Sequence, residues 1–290
     1  MKTKKLTASA AALAAVMGLA AASSANAFTI YPGQNLLEDD DFESQVVDTN
    51  GNNQLDVGDT LEGIVNITKI VGQSIPGLPF NNVLGSGTQL AAIFKTEVTS
   101  RTDIVPGFAN YSFGTKTGET SIFKFFALNA ETFPSSGGCT SFAACETLLT
   151  AGASAWWEFG FTGDADEEWN STNTPVNPDI FTGVSTSLAL GNFKFALGLI
   201  DKHNAPDLKL VDLDCLPGIL YNCAGDGKVQ LAASGSVLGT KEILAQNPNF
   251  PYTVSSDTDF HINVVPEPTS LALLGAGLFG FGFRQRKNQA

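Results

Sequence analysis

Leu61-Glu62-Gly63-Ile64-Val65-Asn66-Ile67-Thr68-Lys69-Ile70 decides the class of the fold. Leu61, Ile64/Val65, Ile67 and Ile70 are apolar, and Glu62, Asn66 and Lys69 fall between them. A two-residue period rich in β-branched side chains is the signature of a strand with one face turned to a core. The same character recurs outward in both directions, at Gln89 to Thr99, Tyr111 to Phe113, Ser121 to Leu128, Ala155 to Thr162, Phe193 to Ile200, Lys228 to Leu238 and Tyr252 to Val265. Turn clusters separate these runs: Pro76-Gly77, Gly85-Ser86-Gly87, Ser135-Ser136-Gly137-Gly138 and Asn170-Ser171-Thr172-Asn173. Short helices are predicted near Glu146 to Ala151 and Leu36 to Ser44. Many short strands with one or two short helices predict an all-β, β-sandwich-like domain over residues 28–264. The longest irregular stretch is polar, from Gly163 to Asp179.

Both ends of the chain read as signals outside that domain. Lys2, Lys4 and Lys5 precede an Ala-rich apolar stretch from Leu6 to Ala22, and Ala25-Asn26-Ala27 has the small-x-small form that signal peptidase cuts after. Residues 1–27 are therefore a signal peptide, with an uncleaved anchor as the alternative reading. At the other end Val265-Pro266-Glu267-Pro268 leads into an apolar run from Thr269 to Phe283, then Arg284, Arg286 and Lys287. The run makes about 22 Å of helix against a bilayer core of about 30 Å, a marginal span whose basic end stays cytoplasmic. Between residues 28 and 265 lie ten of the sixteen basic residues and all but one of the 29 acidic ones, a net charge of −18. That charge repels nucleic acid and anionic headgroups and favours cations.

The order Pro266-Glu267-Pro268, Leu-Ala-Leu-Leu-Gly-Ala-Gly-Leu (271–278), then basic residues resembles the PEP-CTERM sorting domain over residues 265–290. The resemblance implies recognition by exosortase, a membrane protease, after export through the inner membrane. It implies transient anchoring there, then residence at the cell surface or in the extracellular matrix. Proteins with this tail have diverse bodies, so the tail fixes a route and leaves the activity open.

An even number of cysteines in an exported chain predicts disulfides, and closeness in sequence favours Cys139–Cys145 and Cys215–Cys223 among three possible pairings. Asp48, Asn50, Asn52, Asp56 and Asp59 fall at positions one, three, five, nine and twelve of a loop, with Gln54 at seven to offer its carbonyl. This is the oxygen spacing of an EF-hand-type calcium loop, and it resembles the loop of dockerin modules. Two departures stand beside the likeness: position six is Asn53 where glycine is usual, and a strand follows where a helix is usual. An Asx-rich hairpin loop that binds nothing is the alternative. Gly163-Asp164-Ala165-Asp166-Glu167-Glu168-Trp169 is a second acidic loop, flanked by Trp156, Trp157 and Trp169. Trp157 and Trp169 are candidates for stacking on sugar rings, with a packed core as the competing role. Asp212, Asp214 and Asp226 form a further acidic group.

Catalytic patterns are sparse. His203 and His261 are isolated, and Ser121-Ile122-Phe123-Lys124 and Lys116-Thr117-Gly118 match two penicillin-binding elements in the wrong order. There is no nucleotide loop, zinc-binding helix or nucleophile elbow. The expectation is a non-enzymatic, exosortase-processed protein of the extracellular matrix, a partner of acidic or neutral exopolysaccharide in biofilm or floc formation, with calcium as its possible ion. A carbohydrate-binding module and an exported hydrolase are the other two readings.

Overall fold

The computed structural model describes residues 30, 32–52, 54–72, 89–105, 108–128, 141–151, 155–173, 189–203, 205–215, 221–238 and 254–265. Thirteen strands and one helix lie among them. The strands are β1 (Gly33–Val47), β2 (Thr60–Gly72), β3 (Gln89–Val105), β4 (Phe108–Thr115), β5 (Phe123–Leu128), β6 (Trp157–Gly160) and β7 (Glu168–Asn173). They continue as β8 (Ala189–Lys202), β9 (Leu208–Lys209), β10 (Val211–Asp212), β11 (Lys228–Val229), β12 (Leu231–Leu238) and β13 (Val254–Val264), and the helix α1 spans Phe142–Thr150.

The all-β reading holds. Eleven of the strands form one antiparallel sheet, while β10 and β11 pair separately; the large sheet runs in the order β12-β13-β1-β2-β3-β4-β7-β8, and β8 pairs again with β12, so the hydrogen-bond ladder runs full circle as a barrel. Between β3 and β8 the wall is made twice. β4 and β7 fill it along Thr96–Val105 of β3, and β5 and β6 fill it along Gln89–Phe94.

The alternation read at Leu61 to Ile70 appears here as a strand buried on both faces. Val65, Ile67 and Ile70 belong to the barrel interior, whereas Ile64 packs outside with Ile93 and Phe126 beneath α1. Ser141 caps that helix, accepting the amide of Ala144, and Phe142, Cys145 and Leu149 form its buried stripe. Leu36 to Ser44 is strand, not helix. Leu and Glu there favour a helix locally, but β1 has a partner on each side, with Leu37 opposite Ile70 and Phe260. Pairing and burial override intrinsic propensity. The polar stretch after Gly163 likewise contains β7.

Aromatic rings fill the interior. Phe123 lies 5.0 Å from Phe195, 5.5 Å from Phe94 and Trp169 and 5.9 Å from Phe260, centroid to centroid. Burying a side chain of this size contributes about 2–3 kcal/mol, so this cluster is a main source of stability. The first and last strands finish at one end of the barrel, where Gly33 pairs with Val264. The loop of Asp48 to Asp59 joins β1 to β2 at the opposite end, where Val47 pairs with Thr60.

Candidate functional site

A groove of about 1270 Å³ runs across the outer face of the barrel over β3, β4, β7, β8, β12 and β13. Its floor follows from strand alternation. Tyr111, Trp169, Phe195, Ala233 and Phe260 point into the core, so the residues beside them point out. The register then aligns the outward residues in transverse rows. One row is Thr102, Asn110, Thr172, Asn192, Ser236 and Asp257; the next is Ser100, Ser112, Asn170, Lys194, Ser234 and Asp259. All twelve line the groove, and none is apolar. Six strands at about 4.8 Å spacing make each row about 24 Å long.

Within the rows, side chains hold one another. Ser112 Oγ donates to Asn170 Oδ1 at 2.9 Å, Thr172 Oγ1 to Asn110 Oδ1 at 2.7 Å, and Ser236 Oγ to Asn192 Oδ1 at 3.1 Å. Asn170 Nδ2 donates to Glu168 at 2.7 Å, and Lys194 pairs with Glu168 at 3.3 Å. Such pairing fixes the rotamers of short side chains and presents amides, hydroxyls and carboxylates at set positions, the donor and acceptor set that a hydroxyl-rich ligand needs.

The wall of the groove is the segment around the Cys215–Cys223 disulfide, which forms as expected. Val211, Leu213, Tyr221 and Val229 pack over Ala196 and Ala232 of the outer face. Tyr221 is buried, its hydroxyl donates to Ala233 O at 2.8 Å, and burial pushes its pKa up. Lys194 Nζ stands 5.6 Å from its ring centroid. His261 closes the β13 side; burial lowers its pKa, against the opposing pull of Asp259 and Asp214.

Where the groove ends, the barrel ends: Val264 closes β13, and Val265 donates its amide to Asp207 O at 2.7 Å. Residues 264–287, starting on that last strand residue, match the family model of the PEP-CTERM protein-sorting motif. The chain carries a PEP-CTERM protein-sorting motif. No curated protein and no solved structure matches the chain. The motif marks an exported protein that is a target of exosortase and carries a membrane-anchoring sorting signal. Pro266, Glu267, Pro268, Arg284, Arg286 and Lys287 fall inside the match but outside the described residues, as does the signal peptide of residues 1–27. Among the described residues no helix is long and apolar enough to cross a membrane.

The tryptophans have a different role from sugar stacking. Trp157 is 0 % exposed and Trp169 3 % exposed, and both belong to the interior cluster with Trp156. Trp169 contacts Phe195 at 4.8 Å, and Trp157 Nε1 donates to Pro206 O at 3.0 Å. Neither ring can meet a ligand. The acidic loop beside them is a latch. Asp166 is buried, with Oδ1 accepting Gly225 N at 2.6 Å and Oδ2 accepting Gly227 N at 2.7 Å. Those amides hold its carboxyl below the ordinary value, Gly225 first. A Cβ at Gly225 would lie 2.6 Å from Asp166 Oδ2, so this approach requires glycine. Glu167 caps its own loop, accepting the amides of Thr162, Gly163 and Asp164. Glu168 accepts Asn222 N at 3.0 Å. The loop thus ties β7 to the disulfide segment and supports the groove wall.

The loop of Asp48 to Asp59 closes through its own side chains. Asp48, Asn50 and Asn52 each accept an amide two or three residues on. Asp59 is fully buried; Oδ1 accepts Thr49 N and Oγ1 at 2.9 and 2.7 Å, and Oδ2 accepts Asp56 N at 2.7 Å. Asp56 accepts Asn52 Nδ2 at 2.6 Å and pairs with Arg101 at 2.6 Å, and these donors, Asn52 first, lower its pKa. Arg101 Nη1 also reaches Gln54 Oε1 at 3.3 Å. All six oxygen residues named from spacing lie in one loop, and the Arg101 guanidinium reaches two of them, Gln54 and Asp56. Among the described residues, no group of three or more His, Cys, Asp or Glu side chains is placed to hold a metal ion.

The remaining chemistry-bearing cluster is Ser121, Glu158 and His203. Ser121 Oγ donates to Glu158 Oε2 at 2.9 Å, and His203 Nε2 meets Glu158 Oε1 at 3.1 Å. The carboxylate stands between serine and histidine, whereas a nucleophilic serine needs the imidazole as its direct base. Cys145 is disulfide-bonded on α1; Cys139 lies outside the described residues.

Proposed function

We propose that this protein is a non-enzymatic component of the extracellular matrix, delivered by exosortase processing, that holds exopolysaccharide in the groove across β3, β4, β7, β8, β12 and β13. The observation that carries the reading is the pair of wholly polar rows, about 24 Å long, where a polymer of several sugar units can meet hydroxyl and amide partners along its length. Hydrogen bonds from pre-ordered short side chains lose little entropy on binding. Affinity per sugar is modest without an exposed aromatic platform, and it accumulates along the chain.

Deletion of the gene tests the reading. Loss of aggregation in biofilm or floc, restored by the wild-type gene but not by a gene carrying Asn170→Ala and Asn192→Ala, is the expected outcome. Flocs of normal size and composition in the deletion strain would overturn it.

A further inference from the structure

β3 outruns its neighbour β2. Their pairing ends at Thr60 opposite Glu97, and the last main-chain contacts on that side are Gly58 N to Val98 O and Val98 N to Asp59 O, both 2.9 Å. β4 keeps to the other side of β3, since Thr96 and Glu97 pair with both strands at once. Among the described residues, the stretch 99–105 therefore has a strand on one side only. It is exposed at every position but Arg101. An open edge of this length is a template for another strand. Its middle, from Ser100 to Asp103, pairs in regular register with β4, with irregularities on either side.

We infer that this edge pairs antiparallel with the same edge of a second copy of the chain, about a two-fold axis at Thr102. The sequence of the edge is self-complementary in that register. With Thr102 facing itself, Arg101 lies opposite the partner's Asp103, and Asp103 opposite the partner's Arg101, so two unlike pairs form at once. An axis at Arg101 or at Asp103 would instead set that residue against its own copy, which is unfavourable. Arg101 Nη2 lies 2.9 Å from Asp103 of its own chain, and the Asp103 side chain is still 67 % exposed, which leaves room for a second guanidinium. The ends of the edge match as well. Ile104 and Val105 are 53 % exposed at one end, and Val57, beside the Gly58–Val98 contact, is 59 % exposed at the other. Antiparallel pairing carries the first two toward the last, and apolar surface is covered on both sides of the axis. Ser100 and Thr102 also begin the polar rows of the groove. A two-fold axis normal to the sheet keeps both outward faces on one side, so the rows of the two copies run on into a floor about 50 Å long. The pairing itself does not depend on what the groove binds.

Sedimentation of the exported protein over a concentration series, without polymer, is expected to show a monomer–dimer equilibrium. Asp103→Arg, at an exposed position, sets two guanidinium groups against each other in each pair. It is expected to weaken dimerisation by about tenfold or more, with circular dichroism unchanged. Thr102→Cys faces its own copy, with Cβ atoms about 5 Å apart, and is expected to form an intermolecular disulfide on mild oxidation. Ser100→Cys, about 14 Å from its counterpart, is expected to stay unlinked. A monomer at every concentration up to about 1 mM overturns the inference. A dimer that Asp103→Arg leaves intact overturns it too, and so does equal crosslinking of the two cysteine variants, because both place the contact on another surface. Polymer binding is measured apart from this; its absence would remove the groove reading and leave the pairing as sedimentation establishes it.

Discussion

Trp169 and Asn170 are neighbours on β7 and belong to different parts of the molecule. Trp169 is packed between Phe123 and Phe195 inside the barrel; Asn170 stands on the groove floor, joined to Ser112 and Glu168. One step along a strand separates a residue that holds the fold from one on the floor of the proposed binding groove. On that proposal, stability and recognition fall on alternate positions of the same strands.

The largest effect that can break this comparison is Trp169→Ala. It opens a cavity among rings and is expected to lower stability by about 3–5 kcal/mol. Asn170→Ala is expected to stay within about 0.5 kcal/mol of wild type. Denaturant unfolding of both checks the contrast; comparable losses would mean that the outer row also carries the fold. Asp59→Ala, which removes three hydrogen bonds from a buried carboxylate, is expected to cost about 2–3 kcal/mol. Cys215→Ser with Cys223→Ser is expected to cost about 2 kcal/mol and to weaken polymer binding by loosening the groove wall, while near-ultraviolet circular dichroism of the aromatic core stays unchanged.

The latch at Asp166 gives a pH-dependent version of the same contrast. Its carboxyl titrates below the ordinary aspartate value of 3.8. Its stabilising contribution is therefore present above that pH and lost as pH falls through the lower folded value. Hydrogen exchange at Gly225 and Gly227 is expected to be slow at pH 5 and to accelerate on acidification below about pH 3.8, with Asp166→Asn fast throughout. The smallest effect is at the loop of Asp48 to Asp59. Calcium titration is expected to give a weak site, no tighter than about millimolar, because Arg101 competes for Asp56; Arg101→Ala should strengthen it and Asp48→Ala abolish it.

The strands with a clear apolar phase were legible in the sequence: β2, β3, β5, β8, β12 and β13 all lie where alternation and β-branched residues put them. β1 was not, because Leu36-Leu37-Glu38 followed by aspartates has no two-residue period, and only its partners β2 and β13 make it a strand. β7 was missed because Asn170, Ser171, Thr172 and Asn173 have turn chemistry, and Trp169 alone anchors the strand inward. The groove was hidden for the same reason. Its floor is made of common polar residues from six strands, and no spacing in the chain brings Ser112 next to Asn170 or Asn192 next to Ser236. The recoverable signal was the polar phase of each strand, at 110 and 112, 170 and 172, 192 and 194, 234 and 236. The Asp48 to Asp59 cluster was legible because its residues are local. Trp157 and Trp169 were candidates for sugar stacking because of the acidic residues beside them, with a packed core as the competing role, and the core holds both.

The hydrogen bond from the Val265 amide to Asp207 O holds the chain on the barrel up to the residue that precedes Pro266 in the sequence. A cut on the tail side of Val265 would leave every strand of the barrel in place. A cut a few residues earlier would remove Phe260, Ile262 and Val264 from the last strand, so the release point doubles as a boundary of what can survive release.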